Sequence, residues 1–68
     1  MRITVNGQES RLPDAGTVAD VVVSRTGQRR PPGVAVAVND EVVRRDEWER
    51  HPLADGDTVE IVTAVQGG

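Results

Sequence analysis

The sequence predicts an α+β fold in which a mixed sheet of about five strands packs on one helix. Three observations predict it. Two pairs of short β-prone segments are each joined by a two-residue turn signal, Asn6-Gly7 in one and Asn39-Asp40 in the other. Between the pairs lies one stretch with helical spacing and a capping pattern in front of it. The last regular segment, Thr58 to Ala64, alternates as a strand does.

In the first pair, Arg2-Ile3-Thr4-Val5 alternates polar and apolar residues, and Asn6-Gly7 leads into Gln8-Glu9-Ser10-Arg11-Leu12 as the returning strand. This pairing places Ile3, Val5 and Leu12 on a shared buried face. Pro13-Asp14-Ala15-Gly16 is a turn cluster. Thr17 and Asp20 then form a capping-box pattern, with Asp where Glu or Gln is usual. A helix starts there, with Val18, Val21 and Val22 on one face. Val23 adds some strand character, because β-branched residues are modest helix formers. Thr26 to Gly33 contains Gly27, Arg29, Arg30, Pro31 and Pro32, which continue neither periodicity, so it reads as an exposed connection carrying a solvated basic pair.

Val34-Ala35-Val36-Ala37-Val38 is apolar on both faces, the pattern of an interior strand, and Asn39-Asp40 turns it into Glu41-Val42-Val43. Arg44 to Arg50 surrounds Trp48 with charge and predicts at most a short helical turn, which His51-Pro52 stops. Asp55-Gly56 is a further turn. In the final strand Val59 and Ile61 share one face, and Glu60 and Val62 the other. Hairpin, helix, hairpin, short turn and final strand is the order of a β-grasp.

A chain of 68 residues holds one domain, near the lower size limit for a core without staples. We divide it into a domain, residues 1–64, and a flexible C-terminal tail, residues 65–68. The absence of Cys removes disulfides, thiolate metal sites and cysteine nucleophiles together, and fits a reducing, cytoplasmic setting. A net charge of -3 and a pI near 4.9 argue against nucleic acid or an anionic membrane as partner. By the same argument a partner with a basic docking surface fits better. Every cationic side chain is Arg and none is Lys, which excludes lysine-based catalysis or attachment. With neither a signal-peptide pattern nor an apolar run near the roughly 18 residues of a membrane span, the chain is expected to be soluble and unprocessed.

The sequence stops at Ala64-Val65-Gln66-Gly67-Gly68, just beyond a predicted strand, so these residues are expected to project as an extended tail. Val65 to Gly68 would span roughly 13 Å when extended. The two glycines have no Cβ to clash with a narrow partner site. A carboxylate is a poor electrophile, so its use requires activation, most simply as an acyl adenylate that a partner makes from ATP. Attack by a persulfide sulfur then leads to a terminal thiocarboxylate, a sulfur nucleophile tethered to a protein. On this reading the tail is a substrate and the chain is not an enzyme. A frayed terminus is the simpler explanation of two glycines. Chance places a Gly pair at the end of roughly 0.5% of chains, however, and here it follows a β-grasp order in a chain with no other reactive group.

Four stretches carry a resemblance: Val38-Asn39-Asp40-Glu41-Val42-Val43, Arg45-Asp46-Glu47-Trp48, Leu53-Ala54-Asp55-Gly56-Asp57, and Val59 to Val65 running into Gly67-Gly68. Together they resemble ThiS, the ubiquitin-like sulfur carrier family of thiamine biosynthesis, across essentially the whole chain. Arg44 stands where that family commonly has proline. The resemblance implies a ubiquitin-like β-grasp whose Gly68 carboxylate is adenylated by a ThiF-like enzyme. The terminus then receives sulfur from a persulfide donor and gives it to thiazole synthase. It also implies that the carrier binds no cofactor itself, ATP being consumed by the partner. On this resemblance Gly68 would be the adenylated, sulfur-carrying residue, with Val65, Gln66 and Gly67 as its tail. The same tail chemistry would serve a carrier for molybdopterin or cysteine synthesis, or a ubiquitin-like protein modifier, and a plain interaction module would leave the terminus idle.

Other residues take simpler roles. Trp48, a lone aromatic in a Val-rich domain, reads as core cover in preference to a binding hot spot. His51 lacks any nucleophile pattern around it and reads as a surface histidine. Asp55 and Asp57 flank Gly56 and read as turn formers, not metal ligands. If Val34, Val36 and Val38 point inward, Ala35 and Ala37 face outward beside Val62 and Ala64, forming a flat candidate docking patch.

Overall fold

A computed structural model of the chain describes residues 1–64. Strands β1 (Arg2–Val5) and β2 (Gln8–Arg11) form the first hairpin, antiparallel and in the register Val5 to Gln8. Asn6 and Gly7 both have positive φ, 49° and 82°, the geometry whose twist matches a two-residue hairpin. Ile3 and Val5 are buried, and Leu12 packs half-buried against them.

Helix α1 spans Val18–Thr26. Its capping box closes with Asp in the third position: the Asp20 carboxylate accepts from the Thr17 amide at 2.8 Å, and Thr17 Oγ1 accepts from the Asp20 amide at 3.4 Å. Gly27 ends the helix at φ 80°, its amide donating to the Val23 carbonyl at 2.8 Å. Val18, Ala19, Val21 and Val22 are buried against the sheet. Full burial of one valine is worth roughly 1.5–3 kcal/mol, against at most about 0.7 kcal/mol of unfavourable helix propensity. Packing therefore decides for helix despite the run of β-branched residues.

Strands β3 (Val34–Val38) and β4 (Glu41–Val43) form the second hairpin across Asn39 and Asp40, both again at positive φ. The final strand β5 (Thr58–Thr63) runs parallel to β1 and antiparallel to β3, giving the order β2-β1-β5-β3-β4. The strand after the last turn is thus the middle of the sheet, and β3 is interior as its two apolar faces require. Beyond β5, the Ala64 amide donates to the Gly33 carbonyl at 2.7 Å.

Two connections are more structured than the sequence indicates. Arg45–Arg50 is a six-residue 3-10 helix, longer than a single turn. It forms because Trp48 is buried, 1% exposed, with its indole Nε1 donating to the Val43 carbonyl at 3.0 Å. Beyond it, the His51 carbonyl accepts from the Val18 amide and Leu53 donates to the Gly16 carbonyl, which ties this segment to the start of α1. In the 27–33 connection Pro31 is buried, and the Arg29 and Arg30 guanidinium groups share the Glu49 carboxylate at 3.2 and 3.8 Å. Both arginines remain half open to water. The core joins Ile3, Val5, the α1 face, Val36, Val38, Val43, Trp48, Leu53 and Val59, and no polar side chain is buried among the described residues.

Candidate docking face and tail root

The central position of β5 determines what surrounds the point where residues 65–68 attach. Its inward residues are Val59 and Ile61, and the alternation sends Glu60 and Val62 to the face away from α1. Register places Ala35 directly opposite Val62 and Ala37 opposite Glu60. Val62 is 62% exposed, Ala35 and Ala64 are exposed, and Ala37 is half-buried. The expected outward set is therefore brought together on one sheet face. Ala64 sits over Gly33, where an added Cβ would lie 3.5 Å from the Ala64 methyl group.

The structure adds Val42, which the sequence reading left unassigned. It lies opposite Ala37 on β4 and is 78% exposed. Small and branched apolar groups thus cross three strands in order, from Val42 through Ala37 and Ala35 to Val62. The signal was present in the two-residue Asn39-Asp40 turn: it sets the register, and the register puts Val42 on the face of Ala37.

A second unassigned residue is Asn6. Beyond its place in the turn, its side-chain amide donates to the Ile61 carbonyl at 3.2 Å and accepts from the Ile61 amide at 2.8 Å. One side chain thereby extends the β1 edge past the end of its ladder and holds β5 three residues before Ala64. No local pattern in the sequence marks this role.

Other candidates sit where simpler roles require. Asp57 accepts from the Ala54 amide at 2.8 Å and from the Asn39 amide group at 3.0 Å, and Asp55 accepts from the Arg2 amide at 2.7 Å. Both carboxylates build the turn that feeds β5. His51 is half-buried in the link after the 3-10 helix. Among the described residues there is no pocket, no cluster of three or more His, Asp or Glu placed to hold a metal ion, and no helix long and apolar enough to cross a membrane. Val65, Gln66, Gly67 and Gly68 lie outside the described residues.

Comparison with known proteins decides the family: the sequence matches the profile of the ThiS family over residues 2–68. The chain belongs to the ThiS family. It is 31% identical to the sulfur carrier protein ThiS of Escherichia coli (strain K12) over 68 residues, covering the whole of both chains. The crystal structure of the thiamine biosynthesis protein ThiS from Geobacter metallireducens superposes with a TM-score of 0.76 at 30% identity, again over all of both chains. The solution structure of a thiamine biosynthesis protein from the same organism gives a TM-score of 0.76 at 30% identity, covering all of this chain and 88% of that one. The β-grasp fold expected from element order is thus the fold of this family.

Proposed function

We propose that this ThiS-family chain is a sulfur carrier of thiamine biosynthesis that works through its C-terminal carboxylate on Gly68. The observation that carries this reading is the extent of the family match. It spans residues 2–68, a range that includes Gly67 and Gly68.

The chemistry follows from a carboxylate that must become electrophilic. A ThiF-like partner transfers the adenylyl group of ATP to the Gly68 carboxylate, and pyrophosphate leaves. A persulfide then attacks the acyl carbon, AMP departs, and an acyl disulfide forms. A thiol cleaves the sulfur–sulfur bond, leaving a thiocarboxylate on Gly68 and a disulfide on the donor side. This chain has no Cys, so both the persulfide and the thiol belong to partners. The thiocarboxylate sulfur finally passes to the thiazole precursor held by thiazole synthase. The carrier itself is a protein substrate throughout, and ATP binds the partner. Val62, Ala64, Ala35 and Ala37, on the face beside the tail root, dock that partner.

The test is the intact mass of the protein after incubation with a ThiF-like enzyme, ATP and a sulfur source. Replacement of one oxygen by sulfur on the Gly68 peptide is the expected result. An unchanged mass, with an enzyme active on another carrier, overturns the reading.

A further inference from the structure

The charge of this chain is divided between the two ends of the sheet, although its net value is negative. The 27–33 connection enters β3 at Val34, which pairs with Thr63, and the Gly33 carbonyl holds the Ala64 amide. Arg29 and Arg30 therefore lie in the loop beside the tail root. Arg45 joins them: its guanidinium donates to the Pro31 carbonyl at 2.6 and 2.8 Å and to the Arg30 carbonyl at 3.1 Å. Pro31 is two residues from Gly33, at most about 8 Å along the chain. Arg44 precedes Arg45, and Arg25 occupies the last turn of α1 before the same loop. Five of the eight arginines thus gather at the end where the chain continues into residues 65–68.

Local carboxylates neutralise this group only in part: the 3-10 helix supplies Asp46, Glu47 and Glu49 against five arginines. Glu49 is shared by Arg29 and Arg30, and Asp46 is taken by Arg44 at 3.4 Å. Arg45 has two carbonyls and the Trp48 ring, 5.3 Å from its centroid, but no carboxylate within ion-pair distance among the described residues. The opposite end carries Arg2 and Arg11, paired across β1 and β2, but more carboxylates than arginines. Asp40 sits in the β3–β4 turn, Asp55 and Asp57 in the turn before β5, and Asp14 in the turn before α1, beside the Met1 amino group at 3.5 Å.

From this division we infer that the surface around the partner's tail-receiving mouth is acidic, and that Arg29, Arg30 and Arg44 pair with its carboxylates. The inference rests on the carrier reading, because only a partner that takes in Gly68 must meet this end of the sheet. Four residues can span at most roughly 13 Å, so a partner that engages Gly68 deeply must bring its rim against the tail root. Charges a Debye length away, about 8 Å at physiological salt, are screened, so the near arginines govern the encounter and the distant carboxylates do not. The guanidinium fork also suits bidentate pairing with carboxylates. Net charge alone had pointed to a basic partner; its distribution reverses that expectation for the tail end.

The experiment is steady-state pyrophosphate release by the ThiF-like enzyme with ATP and the full chain. In Arg29→Gln/Arg30→Gln the carrier KM is expected to rise about tenfold, with kcat and the ATP KM unchanged and a shallower dependence of KM on salt. Arg44→Gln, at an exposed site, should give a smaller rise, and Asp40→Asn at the far end less than a twofold change. Equal KM and equal salt dependence in the double variant, a KM that falls, or an effect confined to kcat or the ATP KM overturns the inference, the last by assigning these arginines to nucleotide phosphates. Absence of pyrophosphate release with the unmodified chain instead removes the carrier reading, and the inference falls with it.

Discussion

Trp48 is bonded to the strand it covers: its indole Nε1 donates to the Val43 carbonyl at 3.0 Å, five residues back in the chain. A domain of this size has a total stability of only about 3–10 kcal/mol, so one side chain of this volume carries a large share. Trp48→Ala is expected to cost about 3–5 kcal/mol and to leave the protein largely unfolded. Trp48→Phe keeps much of the apolar volume but strands the Val43 carbonyl, for an expected loss of about 1–3 kcal/mol. Urea unfolding of both variants, followed by far-ultraviolet circular dichroism, checks the order. A Phe variant as stable as the parent would show that the hydrogen bond contributes nothing.

Much of the fold was legible because its punctuation is local. Asn6-Gly7 and Asn39-Asp40 act within two residues, and Thr17 and Asp20 cap α1 within one turn. What escaped depends on contacts between distant segments. The 3-10 helix persists through six residues because Arg45 reaches back to Pro31, and the segment just after it returns to Val18 and Gly16. The outward set Ala35, Ala37 and Val62 followed from alternation once β3 was taken as interior, whereas Val42 needed the hairpin register. The gathering of arginines beside Ala64 is a property of the assembled sheet end, to which residues 25, 29, 30, 44 and 45 come from separate elements.

Asn6 permits a separation of backbone and side-chain effects. Its φ of 49° is left-handed, and its amide bonds both polar groups of Ile61. Asn6→Gly keeps the backbone conformation accessible and removes only the amide, at an expected cost of about 1 kcal/mol. Asn6→Ala adds the steric cost of that conformation, roughly 1 kcal/mol more. Hydrogen exchange should show the Ile61 amide losing protection in both variants while Val59 stays protected. Retained protection at Ile61 would mean that the backbone alone holds this part of β5.

Val62 is the natural point at which to break the docking face without touching the core. It is 62% exposed and lies opposite Ala35, so a charge placed there meets water in the free carrier and an apolar surface in the complex. Val62→Asp should change folding stability by no more than about 0.5 kcal/mol. Its affinity for the ThiF-like enzyme should fall at least about tenfold, as expected for an unpaired charge driven into an interface. Titration calorimetry gives the affinity directly. Unchanged binding would move the docking surface to another face of the sheet.

Gly67 tests whether the partner receives the tail through a narrow passage. A branched side chain one residue before the reacting carboxylate narrows the accessible backbone angles and adds bulk where glycine has none. Gly67→Val should therefore lower kcat/KM for adenylation by more than about tenfold, with Gly67→Ala intermediate, because steric exclusion grows with side-chain volume. Neither substitution should move the urea midpoint, since the buried core lies wholly within residues 3–59. Pyrophosphate release at varied carrier concentration separates the two kinetic constants. A rise in KM alone would indicate weakened binding of the tail; a fall in kcat would indicate that the bound carboxylate is held out of line with the α-phosphate of ATP. Equal kcat/KM for all three proteins would show that the passage is wide at this residue and that the glycine is there for some other reason.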